Sequence, residues 1–202
     1  MTKLKYYSLK NILTRNAQYN IIFGERSNGK TYSVLKAGIE NFANNAKQMA
    51  IIRRWQDDFR GKRASTMFDN LVNNNEIAKA TNGEWTGVYY YAARWFFCRF
   101  ENEKRIVHEI PFAYSFAISA MEHDKSTSYP NITLVLFDEF LTRGMYLPDE
   151  FVLFMNVLST IIRERNDVII FMCGNAVNQY SPYFAEMGLV HIKQMNPGDI
   201  DI

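Results

Sequence analysis

Short apolar runs recur along the chain at Ile21 to Phe23, Met49 to Ile52, Ile132 to Phe137 and Val168 to Cys173. Runs this short, bounded by Gly or polar residues, read as strands buried on both faces. The stretches between them switch to helical spacing. Tyr32, Leu35, Ile39 and Phe42 recur on one face of a helix over Lys30 to Phe42, which the Asn-rich stretch Asn41 to Asn45 is expected to break. Ser65 to Ala80, with Phe68, Leu71, Val72 and Ile77, predicts a second helix. A third follows Pro148, with Phe151, Phe154, Met155, Leu158, Ile161 and Ile162 as its stripe and Arg163-Glu164-Arg165 at its end. Strands alternating with helices predict a three-layer α/β domain around a mainly parallel sheet of at least five strands, with Gly188 to Ile192 as the last. Between about residues 84 and 112 the pattern changes to aromatic and β-branched runs, Thr86 to Tyr91, Trp95 to Phe100 and Arg105 to Ile110. These predict a small antiparallel insertion beside the main sheet, because no crossover helix separates them.

Composition narrows the class. A chain of 202 residues, 48% apolar, suits one globular domain, so residues 1–202 are read as a single unit. The net charge of +2 argues for no polyanion globally and leaves any such case to local clusters. Cys98 and Cys173 lie in strand-like runs without metal spacing and read as reduced core residues. No run approaches the length of a membrane span and the N-terminus lacks a signal-peptide core, so a cytosolic protein without membrane partners is expected.

The chemistry concentrates in Gly24-Glu25-Arg26-Ser27-Asn28-Gly29-Lys30-Thr31, which fits the Walker A pattern G-x-x-x-x-G-K-[ST] between a strand and a helix. Such a P-loop curls backbone N–H groups around nucleotide phosphates at a helix N-terminus, where the dipole also favours negative charge. Lys30 reaches β- and γ-phosphate oxygens in this reading, and the Thr31 hydroxyl sits on Mg²⁺ beside ATP. Arg26 is a γ-phosphate sensor or a solvated arginine. The run Ile132 to Phe137 leads straight into Asp138-Glu139, a Walker B pattern in which Asp138 holds Mg²⁺ through water and Glu139 polarises the attacking water. That adjacent glutamate favours an ATP hydrolase over a small-molecule kinase. A nucleotide-gated binding module, such as a helicase loader, is the rival from another class.

The remaining candidates carry two readings each. Tyr6, Tyr7 and Lys10 flank adenine or pack against the first strand. Arg53 and Arg54, at a strand end, face phosphate or a neighbouring subunit, or form a solvated turn with Asp57 and Asp58. Arg60, Lys62 and Arg63 make the same segment the best local candidate for a DNA backbone. Asn175, ending the run that includes Cys173, is a γ-phosphate sensor or a turn residue.

Several motifs occur in a fixed order: Phe23-Gly24 through Lys30-Thr31-Tyr32, Ile52-Arg53-Arg54, Lys125 followed by Tyr129-Pro130-Asn131, Phe137-Asp138-Glu139-Phe140, Arg163-Glu164-Arg165, and Asn175-Ala176-Val177 with Pro182-Tyr183-Phe184. Together they resemble the DNA-packaging ATPases of small Picovirinae-type tailed phages, over nearly the whole chain. The resemblance implies an additional-strand, catalytic-glutamate (ASCE) P-loop ATPase. Such a domain hydrolyses ATP in a homomeric ring, a pentamer in the family, and drives double-stranded DNA into a prohead. Its implied partners are the portal or prohead and a packaging RNA, and its implied place is the host cytoplasm, docked transiently on the prohead. Arg163 matches the family's finger onto a neighbour's nucleotide, and Lys125 matches a lysine near that interface, with Arg165 a further trans-interface candidate. The family carries a basic residue two positions after the arginine pair, where this chain has Gln56. Family members continue into a nuclease-like domain, so residues 1–202 are expected to be the N-terminal motor domain with that second domain absent.

Overall fold

A computed structural model of the chain describes residues 8–123, 127–175, 181–196 and 198–202. The short helix α1 (Lys10–Leu13) precedes β1 (Tyr19–Gly24), α2 (Lys30–Asn45) and β2 (Gln48–Arg53). Three short helices follow, α3 (Gly61–Ser65), α4 (Asp69–Asn73) and α5 (Glu76–Ala80). The middle of the chain forms β3 (Gly87–Tyr91), β4 (Arg94–Glu101), β5 (Lys104–Val107) and β6 (Ala113–Ala117). Then come β7 (Ile132–Asp138), α6 (Glu150–Ile162), β8 (Ile169–Asn175) and α7 (Pro182–Glu186).

Among the described residues eight strands join one sheet in the order β1-β8-β7-β2-β6-β4-β3, with β5 also on β4. The strands from β1 to β6 in that order pair in parallel, whereas β4 pairs antiparallel with β6, β3 and β5. The mainly parallel α/β sheet and its antiparallel insertion are thus as expected. β6 is the strand whose sequence, Ala113-Tyr114-Ser115-Phe116-Ala117, has no β-branched residue to announce it. Its pairing with β2, Met49 opposite Ala113, makes it a strand.

Because side chains alternate across a strand, each central strand feeds two cores. Met49 and Ile51 of β2, Leu134 and Leu136 of β7, and Phe171 and Cys173 of β8 pack towards α2 with Val34, Leu35, Ile39 and Phe42. Ala50 and Ile52, Val135 and Phe137, and Ile170 and Met172 pack towards α6 and α7 with Phe154, Val157, Leu158, Ile161 and Tyr183. This gives three layers, helix, sheet and helix. Among the described residues no helix is long and apolar enough to cross a membrane.

Several expected boundaries move. Helix α2 runs through Asn41 to Asn45, because Asn41 Nδ2 donates to Thr133 Oγ1 (3.1 Å) and Asn45 Nδ2 to Asn41 Oδ1 (3.0 Å). Those side chains therefore do not compete for their own backbone. The single helix expected over Ser65 to Ala80 is divided, with Asn75 left-handed (φ 57°) between α4 and α5. Asn tolerates that conformation more readily than most residues. On α6 the stripe includes Val157 and leaves Met155 exposed. The strand expected at Gly188 to Ile192 is not formed. Gly188 is left-handed (φ 67°), Leu189 N–H donates to Phe184 O (2.9 Å) in closing α7, and a 3₁₀ turn occupies His191–Gln194.

Candidate active site

The carboxyl ends of β1, β8, β7 and β2 stand side by side, so Gly24, Asn175, Asp138 and Arg53 share one rim of the sheet. Ligand crevices of open α/β sheets lie at such rims. After Gly24 the chain turns through left-handed Ser27 (φ 62°) and Gly29 (φ 85°) into the first turn of α2. A left-handed backbone is cheap for glycine, which lets the chain turn sharply from the loop into α2. Arg26 and Ser27 are exposed on this loop.

Lys30 is folded back across the loop. Its Nζ donates to Glu25 O (2.7 Å), Asn28 Oδ1 (3.0 Å) and Gly24 O (3.3 Å), while Asn28 Oδ1 also accepts from Lys30 N–H (3.4 Å). Burial lowers the Lys30 pKa from its ordinary value, with Cys173 and Asp138 pulling the other way. An anion above the loop would favour the ammonium and give it a better partner than neutral carbonyls.

Strand parity brings Asp138 to the same side. It follows Leu134 and Leu136 at the two-residue period and meets α2, where Thr31 Oγ1 donates to its Oδ1 (2.7 Å). Arg53 follows Met49 and Ile51 in the same way, and its Nη2 lies 2.5 Å from Asp138 Oδ2. Burial would lower the Arg53 pKa, but the charge and hydrogen bond of Asp138, with Glu139 and Asp58 farther off, raise it above its usual value. Arg53 Nε is buried without a hydrogen-bond partner. Glu139, one residue on, is left-handed (φ 58°) and its side chain is exposed.

The donors available here are hard oxygens, one hydroxyl and one carboxylate, which suits Mg²⁺. Among the described residues no group of three or more His, Cys, Asp or Glu converges on one point. A magnesium ion at Thr31 and Asp138 would therefore draw most of its oxygens from phosphate and water, its usual habit. Cys173, beside this cluster, has its thiol pushed well up by burial and by Asp138, so it stays protonated.

Arg54 has the opposite parity, in line with Ala50 and Ile52, and is carried to the α6 face. Its Nε and Nη2 grip Glu150 Oε2 and Oε1 at 2.7 and 2.8 Å. The same guanidinium donates to Phe140 O (2.8 Å) and Glu139 O (3.4 Å) and lies 5.0 Å from the centre of the Tyr146 ring. Tyr183 Oη donates to Glu150 Oε1 (2.7 Å) and Leu147 N–H to Oε2 (2.8 Å). Burial, then the Glu150 charge, pushes the Tyr183 hydroxyl far up. The sequence reading has Arg54 facing phosphate or a neighbouring subunit, or forming a solvated turn with Asp57 and Asp58, and the structure instead buries it against Glu150. The signal that finds their pairing is the two-residue period, since consecutive arginines at a strand end must part to opposite faces.

Other candidates lie apart. Arg163 is the exposed C-cap of α6, left-handed at φ 44°, and its Nη2 donates to Thr127 O (3.0 Å). It stands near the amino end of β7, about 20 Å along α6 from Glu150 at the other end of the helix. Arg165 donates to the carbonyls of Pro130 (3.0 Å), Ile132 (2.6 Å) and Ile162 (3.2 Å), which ties the end of α6 to the start of β7. Arg60 is 2.8 Å from Asp57, and Arg63 3.5 Å from Asp58, so acidic neighbours offset charge in the DNA-candidate segment, where Lys62 is exposed. Asn175 ends β8 opposite Gly24. Tyr6, Tyr7, Lys125, Ala176 and Val177 lie outside the described residues.

The chain is similar to known proteins in sequence and in fold. The family described as Podovirus DNA encapsidation protein (Gp16) matches residues 1–196. The DNA packaging protein of Bacillus phage B103 is 27% identical over 182 residues, 85% of this chain and 48% of its own length. That of Bacillus phage phi29 is 24% identical over 200 residues, 94% and 52% respectively. The chain thus spans about half the length of these relatives. Among solved structures, the N-terminal domain of the DNA packaging ATPase from bacteriophage phi29 superposes with a TM-score of 0.76 at 22% identity, covering 97% of this chain and 92% of that one. A chain of the bacteriophage Phi-29 viral genome packaging motor assembly gives 0.67 at 23% identity, over 92% of this chain and 51% of that one.

Proposed function

The chain belongs to the family of podovirus DNA encapsidation proteins, and from that premise we propose that it is the ATP-hydrolysing motor domain of a viral DNA-packaging machine. The observation that carries the reading is the convergence of the Gly24 to Thr31 loop with Asp138 through the Thr31–Asp138 hydrogen bond, with Glu139 next in the chain. The order of strands supports it. β8 separates β1, which leads into the loop, from β7, which carries the carboxylates, as an additional-strand ATPase requires.

ATP would lie with its phosphates over Ser27 to Thr31. Lys30 would exchange the carbonyls of Gly24 and Glu25 for phosphate oxygens, and Arg53 would yield one oxygen of Asp138. Magnesium, held by Thr31 and Asp138, would neutralise phosphate charge. Glu139, exposed at the rim, would orient and deprotonate the attacking water. Asn175 and Arg26 would sense the γ-phosphate.

Arg163 stands too far from its own site to act there, so it would serve a neighbouring subunit's nucleotide in a homomeric ring. Double-stranded DNA is the proposed track, the prohead with its portal and a packaging RNA the proposed dock, and the infected host's cytoplasm the proposed setting. Lys30→Ala should abolish nucleotide binding, whereas Glu139→Gln should bind Mg-ATP and lose turnover by about 10²- to 10⁴-fold. Equilibrium binding and steady-state hydrolysis measure the two effects. Normal turnover in Glu139→Gln would reject the assignment.

A further inference from the structure

We propose that Arg54, with Glu150 and Tyr183, positions the water-activating Glu139 by holding its backbone from the opposite face of the sheet. The proposal rests on the ATPase reading above. Glu139 is left-handed at φ 58° without being glycine, a conformation that persists only where surrounding structure over-determines it. Arg54 supplies that constraint, because its guanidinium donates to the carbonyls of both Glu139 and Phe140.

The guanidinium is itself fixed. Glu150 takes it bidentately, and among the described residues the Glu150 carboxylate is also held by Tyr183 of α7 and by Leu147 N–H in the loop before α6. Arg54 is 6% exposed and Glu150 2%, so the clasp works in a dry interior where directional bonds are strong. A second constraint closes the turn from the side. Phe140 N–H donates to Cys173 O (3.3 Å), and a Cβ on Gly174 would come within 2.8 Å of Phe140 and 2.9 Å of Leu141. Arg54 is buried on the α6 face and touches Glu139 only at its carbonyl, so its effect runs through the peptide of Glu139, whose side chain is exposed. Lysine at this position keeps the charge but has one nitrogen, which cannot fork onto Glu150 and reach two carbonyls together.

The test separates positioning from mere packing. In the triple variant Arg54→Met, Glu150→Met, Tyr183→Phe, apolar groups of similar volume replace the buried polar set, an exchange that is often neutral for stability. Its thermal midpoint should stay within about 5 °C of the parent. Its ATP affinity should change less than about twofold, and its kcat should fall about 10- to 100-fold, the scale of a small misplacement of a reacting group. Amide hydrogen exchange over residues 138–147 should rise while that of α2 stays unchanged. Arg54→Lys is the second variant, expected to show the same split of lost kcat with retained affinity, and it decides the matter if the triple variant does not fold. Parent-like kcat and parent-like exchange in either folded variant overturn the proposal. If the unsubstituted chain hydrolyses no ATP under any assembly condition, the ATPase reading fails, and the exchange arm still decides whether Arg54 holds the Glu139 turn.

Discussion

Arg53 and Arg54 are neighbours with the same side chain at the end of one strand, yet they inhabit opposite environments. Arg53 faces α2, is 20% exposed at its side chain, has an unpartnered buried Nε, and holds a carboxylate already hydrogen-bonded to Thr31 of α2. Arg54 faces α6 and sits in a closed set of bonds to Glu150, Phe140 and Glu139. Under the proposed function, the first arrangement would exchange partners when a more strongly charged ligand arrives. The second resists exchange, because separating a buried ion pair leaves an uncompensated charge. One face of the sheet is therefore built to change and the other to stay, and Glu139 lies where they meet.

The sharpest extension of this contrast concerns the far end of α6. If its near end is structural, chemistry on this face falls to Arg163, and removing a trans-acting arginine should slow turnover by about 10³- to 10⁵-fold. Mixing Arg163→Ala with Glu139→Gln should then restore hydrolysis in proportion to interfaces that combine an intact glutamate with an intact finger. Single-turnover hydrolysis scores each interface once, so a stalled ring cannot hide the recovery. Co-assembly without recovery would place Arg163 outside the reaction.

Stability offers the next comparison. Arg54→Ala strands Glu150 in the interior and should cost about 3–5 kcal/mol. Arg53→Ala removes a partly exposed charged hydrogen bond and should cost about 1–2 kcal/mol. Denaturant unfolding of both variants measures the difference, and equal losses would erase the distinction between the faces.

Gly174→Ala probes the seam between them. Its Cβ would press on Phe140 and Leu141, so overpacking should cost about 1–3 kcal/mol and disturb the Glu139 turn. Turnover should fall more than nucleotide affinity does.

The smallest effect lies at the periphery of the α2 face, where Glu76 of α5 meets Lys36 (2.8 Å) and Lys79 (3.3 Å). Burial would raise the Glu76 pKa, but the hydrogen bonds and charges of the two lysines lower it below the usual 4.5. A carboxylate with a depressed folded pKa stabilises above its unfolded pKa, and this contribution fades as pH falls through the folded one. Between neutral pH and pH 4, Glu76→Gln should therefore lose less stability than the parent, by under about 1 kcal/mol, because solvent screens the pair. Thermal midpoints across that range test the sign.

Much of the candidate site is legible because its parts are local. The loop from Gly24 to Thr31 is one contiguous stretch between a strand and a helix, and Asp138-Glu139 ends one apolar run, so spacing alone identifies both. The division of Arg53 from Arg54 needs the two-residue period applied to a strand end. Their partners, Asp138 and Glu150, need the pairing of β2 with β7 as well. Neither partner lies near the arginines in the chain. The breaks around Asn75 and the strand β6 escaped for a related reason, since weak local preference is there overruled by neighbours distant in sequence.

Periodicity, turn residues and motif spacing by themselves determine that this chain builds buried strands alternating with helices, sets a G-x-x-x-x-G-K-[ST] loop between a strand and a helix, and places two carboxylates at a strand end. Those properties follow from sterics and hydrogen bonding within a few residues. Tertiary structure alone decides that β8 lies between β1 and β7, that Arg53 reaches Asp138 while Arg54 locks onto Glu150, and that Arg163 meets the segment before β7 at the far end of α6 from Glu150. The physical reason is that strand order and register are chosen by how whole faces bury their apolar side chains together, a choice no single segment contains.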